Sequence, residues 1–203
     1  MIVLNNLTTG YSKSTPLLKN FNYQFENKVY GILGESGCGK TTLLRTIAGL
    51  TKPLSGEVVL DGVRVTKPNK NDIYMLHQNY TSFDWLSCLD NILIAKRVKG
   101  NITDGDVESA MRMLEKVRLR EHADKYPRQL SGGMRQRLAL ARTLFTNPST
   151  ILMDEPLSAL DSETREDMQN LILDTHKRTN NTIIMITHSI EEAKKMCDTI
   201  IQI

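Results

Sequence analysis

The residues with the clearest chemistry are Gly34-Glu35-Ser36-Gly37-Cys38-Gly39-Lys40-Thr41, a complete GxxxxGK[ST] run. Glycines let a backbone curl until its N–H groups converge on phosphate oxygens, and a helix starting at the end of the loop adds its positive end to the field. Lys40 suits the β- and γ-phosphates of a nucleotide, and Thr41 suits Mg2+. Ile151-Leu152-Met153-Asp154-Glu155 is an apolar strand ending in two carboxylates. Successive strand residues point to opposite faces, so the two acids need not share a role. Asp154 suits Mg2+, mostly through water, and Glu155 suits polarising an attacking water. His188 follows the apolar run Ile183 to Ile186, where it is placed to hydrogen-bond a γ-phosphate. Gln78 follows the strand-like Ile73 to His77, where it is placed to sense Mg2+ or the water. Either residue alone would be an ordinary polar strand terminus; the phosphate loop changes their weight.

A second anion site is suggested by Leu130-Ser131-Gly132-Gly133-Met134-Arg135-Gln136-Arg137. Ser131 can cap the helix that follows, and the glycine pair bares N–H groups at its positive end. An N-cap explains the serine but not two glycines in a first helical turn, each costing roughly 1 kcal/mol against alanine.

The elements that must hold these groups follow from pattern. Ile2 to Leu7, Leu17 to Phe25 and Val29 to Leu33 read as strands, separated by turn-prone stretches such as Thr9-Gly10 and Glu26-Asn27. The third strand feeds the glycine-rich loop, and Thr42 to Leu50 reads as a helix. Gly56 to Val63 reads as a hairpin and Asp72 to His77 as a strand. Residues from about 83 to about 130 read as a mostly helical insertion, with a short helix from Asp90 to Arg97 and Val107, Ala110, Met111, Leu114 and Val117 at helical spacing. Alternation then returns: a helix Gly132 to Phe145, a strand Thr150 to Met153, a helix Ser162 to Arg178 and a strand Thr182 to Thr187, whose apolar run on both faces suits the centre of a parallel sheet.

The expected fold is therefore α/β: a phosphate-loop NTPase core with a mostly parallel sheet, an N-terminal antiparallel β subdomain and an inserted helical subdomain. All of 1–203 would be one domain, with core and β parts from 1–82 and 131–203. The chain is 40% hydrophobic and 24% charged, an ordinary globular composition large enough for a sizeable core. Its net charge of +3 is scattered, so no nucleic-acid partner is expected. Cys38, Cys88 and Cys197 form no pair or cluster of metal-ligand spacing, so neither a disulfide scaffold nor a zinc site is expected. No apolar run reaches the ~18 residues of a membrane span, so a partner must cross any membrane the protein serves.

Taken together and in this order, the segments resemble the ABC-type ATPases through nearly the whole chain. Gly34 to Thr41 matches the Walker A loop, Gln78 the Q-loop glutamine, and Leu130 to Gln136 the LSGGQ signature, with Met134 in place of its glutamine. Ile151 to Glu155 matches Walker B and its glutamate, Ser158-Ala159-Leu160-Asp161 the D-loop, and His188 the switch histidine. The resemblance implies ATP and Mg2+ as cofactors, with Glu155, His188 and Gln78 catalytic. It implies nucleotide contacts from Tyr11 on adenine, from Gly34, Glu35, Ser36, Gly37, Cys38, Gly39, Lys40, Thr41 and Thr42, and from Ser131, Gly132, Gly133 and Asp161. Thr41, Gln78 and Asp154 would be the metal ligands. Two cassettes, expected to be copies of one chain, would pair head to tail, so that Ser131 and Gly133 act on the partner's ATP.

Tyr11 could instead be a packed tyrosine. Trp85, with Tyr80, Phe83 and Leu86, falls where the family docks a membrane permease, or else packs the helical insertion. The stretch Asp84 to Ile92 is similar to importers of the nitrate, sulfonate and taurine type. The expected protein is the energy-coupling subunit of such a transporter, peripheral on the cytoplasmic face of the cell membrane. Little sequence follows His188, so a C-terminal regulatory domain is not expected. A soluble ABC ATPase of DNA repair or translation is the alternative, although a long coiled coil between Gln78 and Ser131 would then be expected. A small-molecule kinase would explain Gly34 to Thr41 but not Leu130 to Gln136 or Ser158 to Asp161.

Overall fold

The structure is a computed structural model, and it describes residues 1–12, 14–68, 72–77 and 82–203. The chain forms two compact units. One comprises Met1–Met75, Pro148–Glu155 and His176–Ile203, and the other Leu76–Asn147 and Pro156–Thr175.

The first unit holds two sheets. β1 (Ile2–Ser12) pairs antiparallel with β2 (Thr15–Phe25) and with β4 (Ser55–Leu60), and β4 turns through Asp61-Gly62 into the short β5 (Val63–Arg64). The hairpin expected over Gly56 to Val63 is present. Thr9-Gly10, expected to be a turn, is instead part of β1, and the turn comes after Ser12. The reason is a set of register shifts between Leu7 and Ser12, which let the pair bend without breaking. Gly10 allows this, since a Cβ there would lie 2.7 Å from the Thr15 carbonyl oxygen.

The second sheet has the strand order β6-β7-β8-β3-β9, with β6 (Ile73–Leu76), β7 (Thr150–Asp154), β8 (Thr182–Ile186), β3 (Val29–Leu33) and β9 (Thr199–Gln202). β7 with β8, β8 with β3, and β3 with β9 are parallel. β7 and β8 are buried throughout, as unbroken apolar strands inside a parallel sheet should be. α1 (Lys40–Ile47) contributes Leu43, Leu44 and Ile47 to a core with Ile2, Leu4, Phe25, Ile32, Leu152 and Ile184. Phe25 meets Tyr30 edge-on at 4.9 Å between centroids, and the Tyr30 hydroxyl accepts the Glu26 N–H.

The second unit is helical: α2 (Cys88–Lys99), α3 (Asp104–Lys116), α4 (Gly132–Phe145) and most of α5 (Ser162–Thr179), with α2, α3 and α4 packed on one another. The starts of α2, α3 and α4 are written in the sequence. Ser87 caps α2, Thr103 and Asp106 form a reciprocal capping box on α3, and Ser131 caps α4. A last helix, α6 (Ile190–Met196), precedes β9 in the first unit. The architecture is the α/β fold expected: a mostly parallel sheet, an antiparallel β subdomain and a helical insertion.

Candidate functional site

β3, β8 and β7 run parallel in a register that aligns Ile32 with Ile186 and Ile186 with Asp154. Their carboxyl ends therefore lie in one row, the edge where an open α/β sheet gathers ligand groups. The segments leaving that row are Gly34 to Gly39, Glu155 and Thr187-His188. Main-chain bonds fix their departure: Glu155 N–H donates to the Ile186 carbonyl at 3.1 Å, and Thr187 N–H to that of Ile32.

Gly34 to Gly39 wraps from β3 into α1. Gly37 and Gly39 take φ of +82° and +105°, a region that disfavours side chains. A Cβ on Gly39 would press within 2.8 Å of Leu17, whereas one on Gly37 would meet nothing. Gly39 is thus required by conformation and packing, and Gly37 leaves its concave side open. Lys40, only 6% exposed, turns its ammonium back over the loop, where Nζ donates to the carbonyls of Gly34 at 2.8 Å and Glu35 at 2.7 Å. Among the described residues no carboxylate pairs with it. Nζ also donates to the Cys38 sulfur at 3.9 Å, and a buried cation held by such neutral groups fits an anionic ligand in the loop. Glu35, Ser36 and Thr41 are exposed, Cys38 and Thr42 half-buried.

Asp154 ends β7 buried, and Glu155 follows with φ +52°. A left-handed glutamate is uncommon and turns the chain off the sheet. Its Oε1 lies 2.9 Å from Nε2 of His188. With the carboxylate ionised, Nε2 donates the hydrogen bond, which fixes the tautomer and holds both groups at one edge. Tyr11 lies near the end of β1 with 83% of its surface exposed, which removes the packed alternative and leaves a free aromatic face. Gln78 and Tyr80 lie outside the described residues.

In the helical unit Ser131 Oγ accepts the Met134 N–H, capping α4 as expected. A Cβ on Gly132 would meet nothing within 4 Å, so packing does not demand that glycine, and the bare N–H it leaves suits an anion. Gly133 does face a neighbour, since a Cβ there would lie 3.3 Å from the Ala159 carbonyl oxygen. Asp161 Oδ1 accepts the Thr164 N–H at 3.0 Å at the start of α5, and these hydrogen bonds hold its carboxyl below the usual range. Two polar residues of this region were given no individual role from sequence. Gln136 is buried beneath Pro156 to Ala159, and Arg165 Nη2 donates to the Leu160 carbonyl at 2.6 Å. Each looks like an ordinary helix residue in the sequence, and only the fold brings it to a loop.

A phosphate loop entering a helix beside parallel strands that end in paired acids defines a phosphate-loop nucleotide hydrolase. Comparison with known proteins narrows that class. The family profile described as ABC transporter matches residues 18–158. A taurine import ATP-binding protein of Roseobacter denitrificans is 46% identical over 166 residues, covering 82% of this chain and 62% of its own. A nitrate import ATP-binding protein of Synechocystis is 41% identical, covering 94% of this chain and 71% of its own. Among solved structures, a dimeric post-hydrolysis state of the ATP-binding cassette MJ0796 with ADP and Pi aligns with a TM-score of 0.90 at 32% identity, over 100% of this chain and 94% of that one. The chain belongs to the ABC transporter family, as its ATP-binding and ATP-hydrolysing component. No described helix is long and apolar enough to cross a membrane.

Proposed function

We propose that this cassette powers import through a separate membrane permease, working as a head-to-tail pair of copies on the cytoplasmic face of the membrane. The observation that carries the reading is the aligned row of strand ends, where the Lys40 loop and the Glu155–His188 pair share one sheet edge.

The roles follow from the groups. Lys40 exchanges its carbonyl partners for the β- and γ-phosphates, and loop N–H groups from Gly34 to Thr42 hold the remaining oxygens. Tyr11 stacks on adenine. Thr41, Asp154 and Gln78 would hold Mg2+, which when bound neutralises charge on the phosphate oxygens. Glu155 orients and polarises the attacking water as general base, and His188 steadies that carboxylate while facing the γ-phosphate. Ser131 and Gly133 serve the nucleotide of the partner cassette, and Gly132 and Asp161 also contact nucleotide. Closure of the pair on ATP and reopening after hydrolysis then drive the permease between its two access states.

Two facts support the importing partner. Relatives at 41% and 46% identity are named for nitrate and taurine import. In the helical unit Trp85 is 73% exposed and tilts against Phe83 at 5.3 Å, while the Arg142 guanidinium lies 4.9 Å from the Phe83 ring. A tryptophan so exposed does not pack an insertion; it is an aromatic anchor for another protein. Purification of the tagged protein from its native membranes in mild detergent tests this. A stoichiometric polytopic membrane protein is expected, and recovery only with ribosomal or DNA-bound partners would overturn the transport reading.

A further inference from the structure

Gln136 lies one turn into α4 from the exposed Ser131-Gly132 and has 0% of its surface exposed. A buried amide must find hydrogen-bond partners, and this one finds main chain. Its Nε2 donates to the Pro156 carbonyl at 2.5 Å, and its Oε1 accepts the Ala159 N–H at 3.1 Å. One side chain thus spans both ends of Pro156 to Ala159. Two further contacts hold the same loop. The Gly133 α-carbon faces the Ala159 carbonyl closely enough that a Cβ would stand 3.3 Å from it, and Arg165 holds the carbonyl of Leu160. Leu157 and Leu160 are buried, while Ser158 and Ala159 remain exposed beside the glycine turn.

The geometry points to Gln136 as a positioning residue that joins Ser131–Gly133 and Ser158–Asp161 into one rigid docking face for the second cassette. It touches no nucleotide. Its amide keeps the loop backbone in register with the amino end of α4, so both segments meet the partner together. This rests on the paired-cassette reading. A hydrophobic residue of similar size would fill the space but leave the Pro156 carbonyl and Ala159 N–H without their partner, freeing the loop to shift.

The test places Gln136→Leu and Gln136→Glu in the full chain, with and without Glu155→Gln. Binding of a fluorescent ATP analogue to the monomer should stay within about twofold of wild type, because Lys40 and its loop are untouched. The kcat for ATP should fall at least tenfold, and the ATP-dependent dimer of the Glu155→Gln background should weaken by about as much, read by light scattering. Gln136→Glu adds a signature of the hydrogen bond itself. Protonated, its acid can donate to the Pro156 carbonyl; ionised, it faces that carbonyl with a charge. Its kcat relative to wild type should therefore recover as pH falls from about 8.5 to about 6. Wild-type kcat and dimerisation in a folded Gln136→Leu protein would overturn the inference, as would equal losses of ATP affinity and kcat. Should the leucine variant fail to fold, a flat relative pH profile for Gln136→Glu would overturn it instead. If Glu155→Gln with Gln136 intact does not dimerise on ATP, the paired-cassette reading fails, and this inference with it.

Discussion

Lys40 shows how one side chain can announce its ligand. An ammonium 6% exposed and bound by the carbonyls of Gly34 and Glu35 has kept its hydrogen bonds but found no counter-charge among the described residues. Charged hydrogen bonds contribute about 1.5–3 kcal/mol each, so Lys40→Ala should weaken ATP binding on the order of tenfold to a hundredfold. Equilibrium titration with a fluorescent nucleotide checks this, and wild-type affinity would show that the loop does not hold the phosphates. The GxxxxGK[ST] spacing made Lys40 legible in the sequence, because the spacing itself is the geometry. The left-handed turn at Glu155 was not legible, since nothing in its residue type calls for φ +52°. The roles of Gln136 and Arg165 were equally hidden, because hydrogen bonds to distant main chain leave no local pattern.

At the scale of elements, local chemistry wrote the helix starts, with Ser87, Thr103 and Ser131 each capping as their types suggest. Tertiary pairing overrode it at Thr9-Gly10, where β2 holds the strand together through a bend that Gly10 alone would have ended. α6 and β9 were not legible because both are short: α6 sets Ile190, Ala193 and Met196 among four charged residues, and β9 spans only Thr199–Gln202. Asn91 carries a test at this scale. Fully buried on α2, its Nδ2 donates toward the carbonyls of Phe83, Leu86 and Ser87, and its Oδ1 accepts the Phe83 N–H. One amide thus shapes the turn that presents Trp85. Asn91→Ala should destabilise the fold by about 1–3 kcal/mol, measured by urea denaturation, and should change the fluorescence of Trp85 before global unfolding. An unchanged midpoint would remove that role.

For the whole molecule, the parallel sheet and its core were readable from apolar runs such as Ile183 to Ile186, since period and length are sequence properties. Which strands neighbour one another was not, because the order β6-β7-β8-β3-β9 depends on crossovers that no local signal specifies. Global stability should carry a pH signature from two thiols. Burial pushes Cys88 up to about 11 and Cys197 up to about 12. Both are raised in the fold, so their contribution is fully present below the unfolded thiol range near 8.5–9 and is lost as pH climbs toward 11–12. Urea midpoints should therefore fall between pH 8 and pH 10, and the fall should be shallower in a Cys88→Ala, Cys197→Ala protein. The same slope in both proteins would refute the assignment.

The central claim is that this cassette hydrolyses ATP with Glu155 as its base at the strand-end row shared with Lys40 and His188. The most direct measurement is phosphate release by Glu155→Gln beside wild type, with ATP binding followed in the same preparations. General-base assistance contributes about 10²–10⁴-fold, so hydrolysis should fall by at least about a hundredfold while ATP stays bound with near wild-type affinity. Turnover at the wild-type rate in that variant would contradict the account.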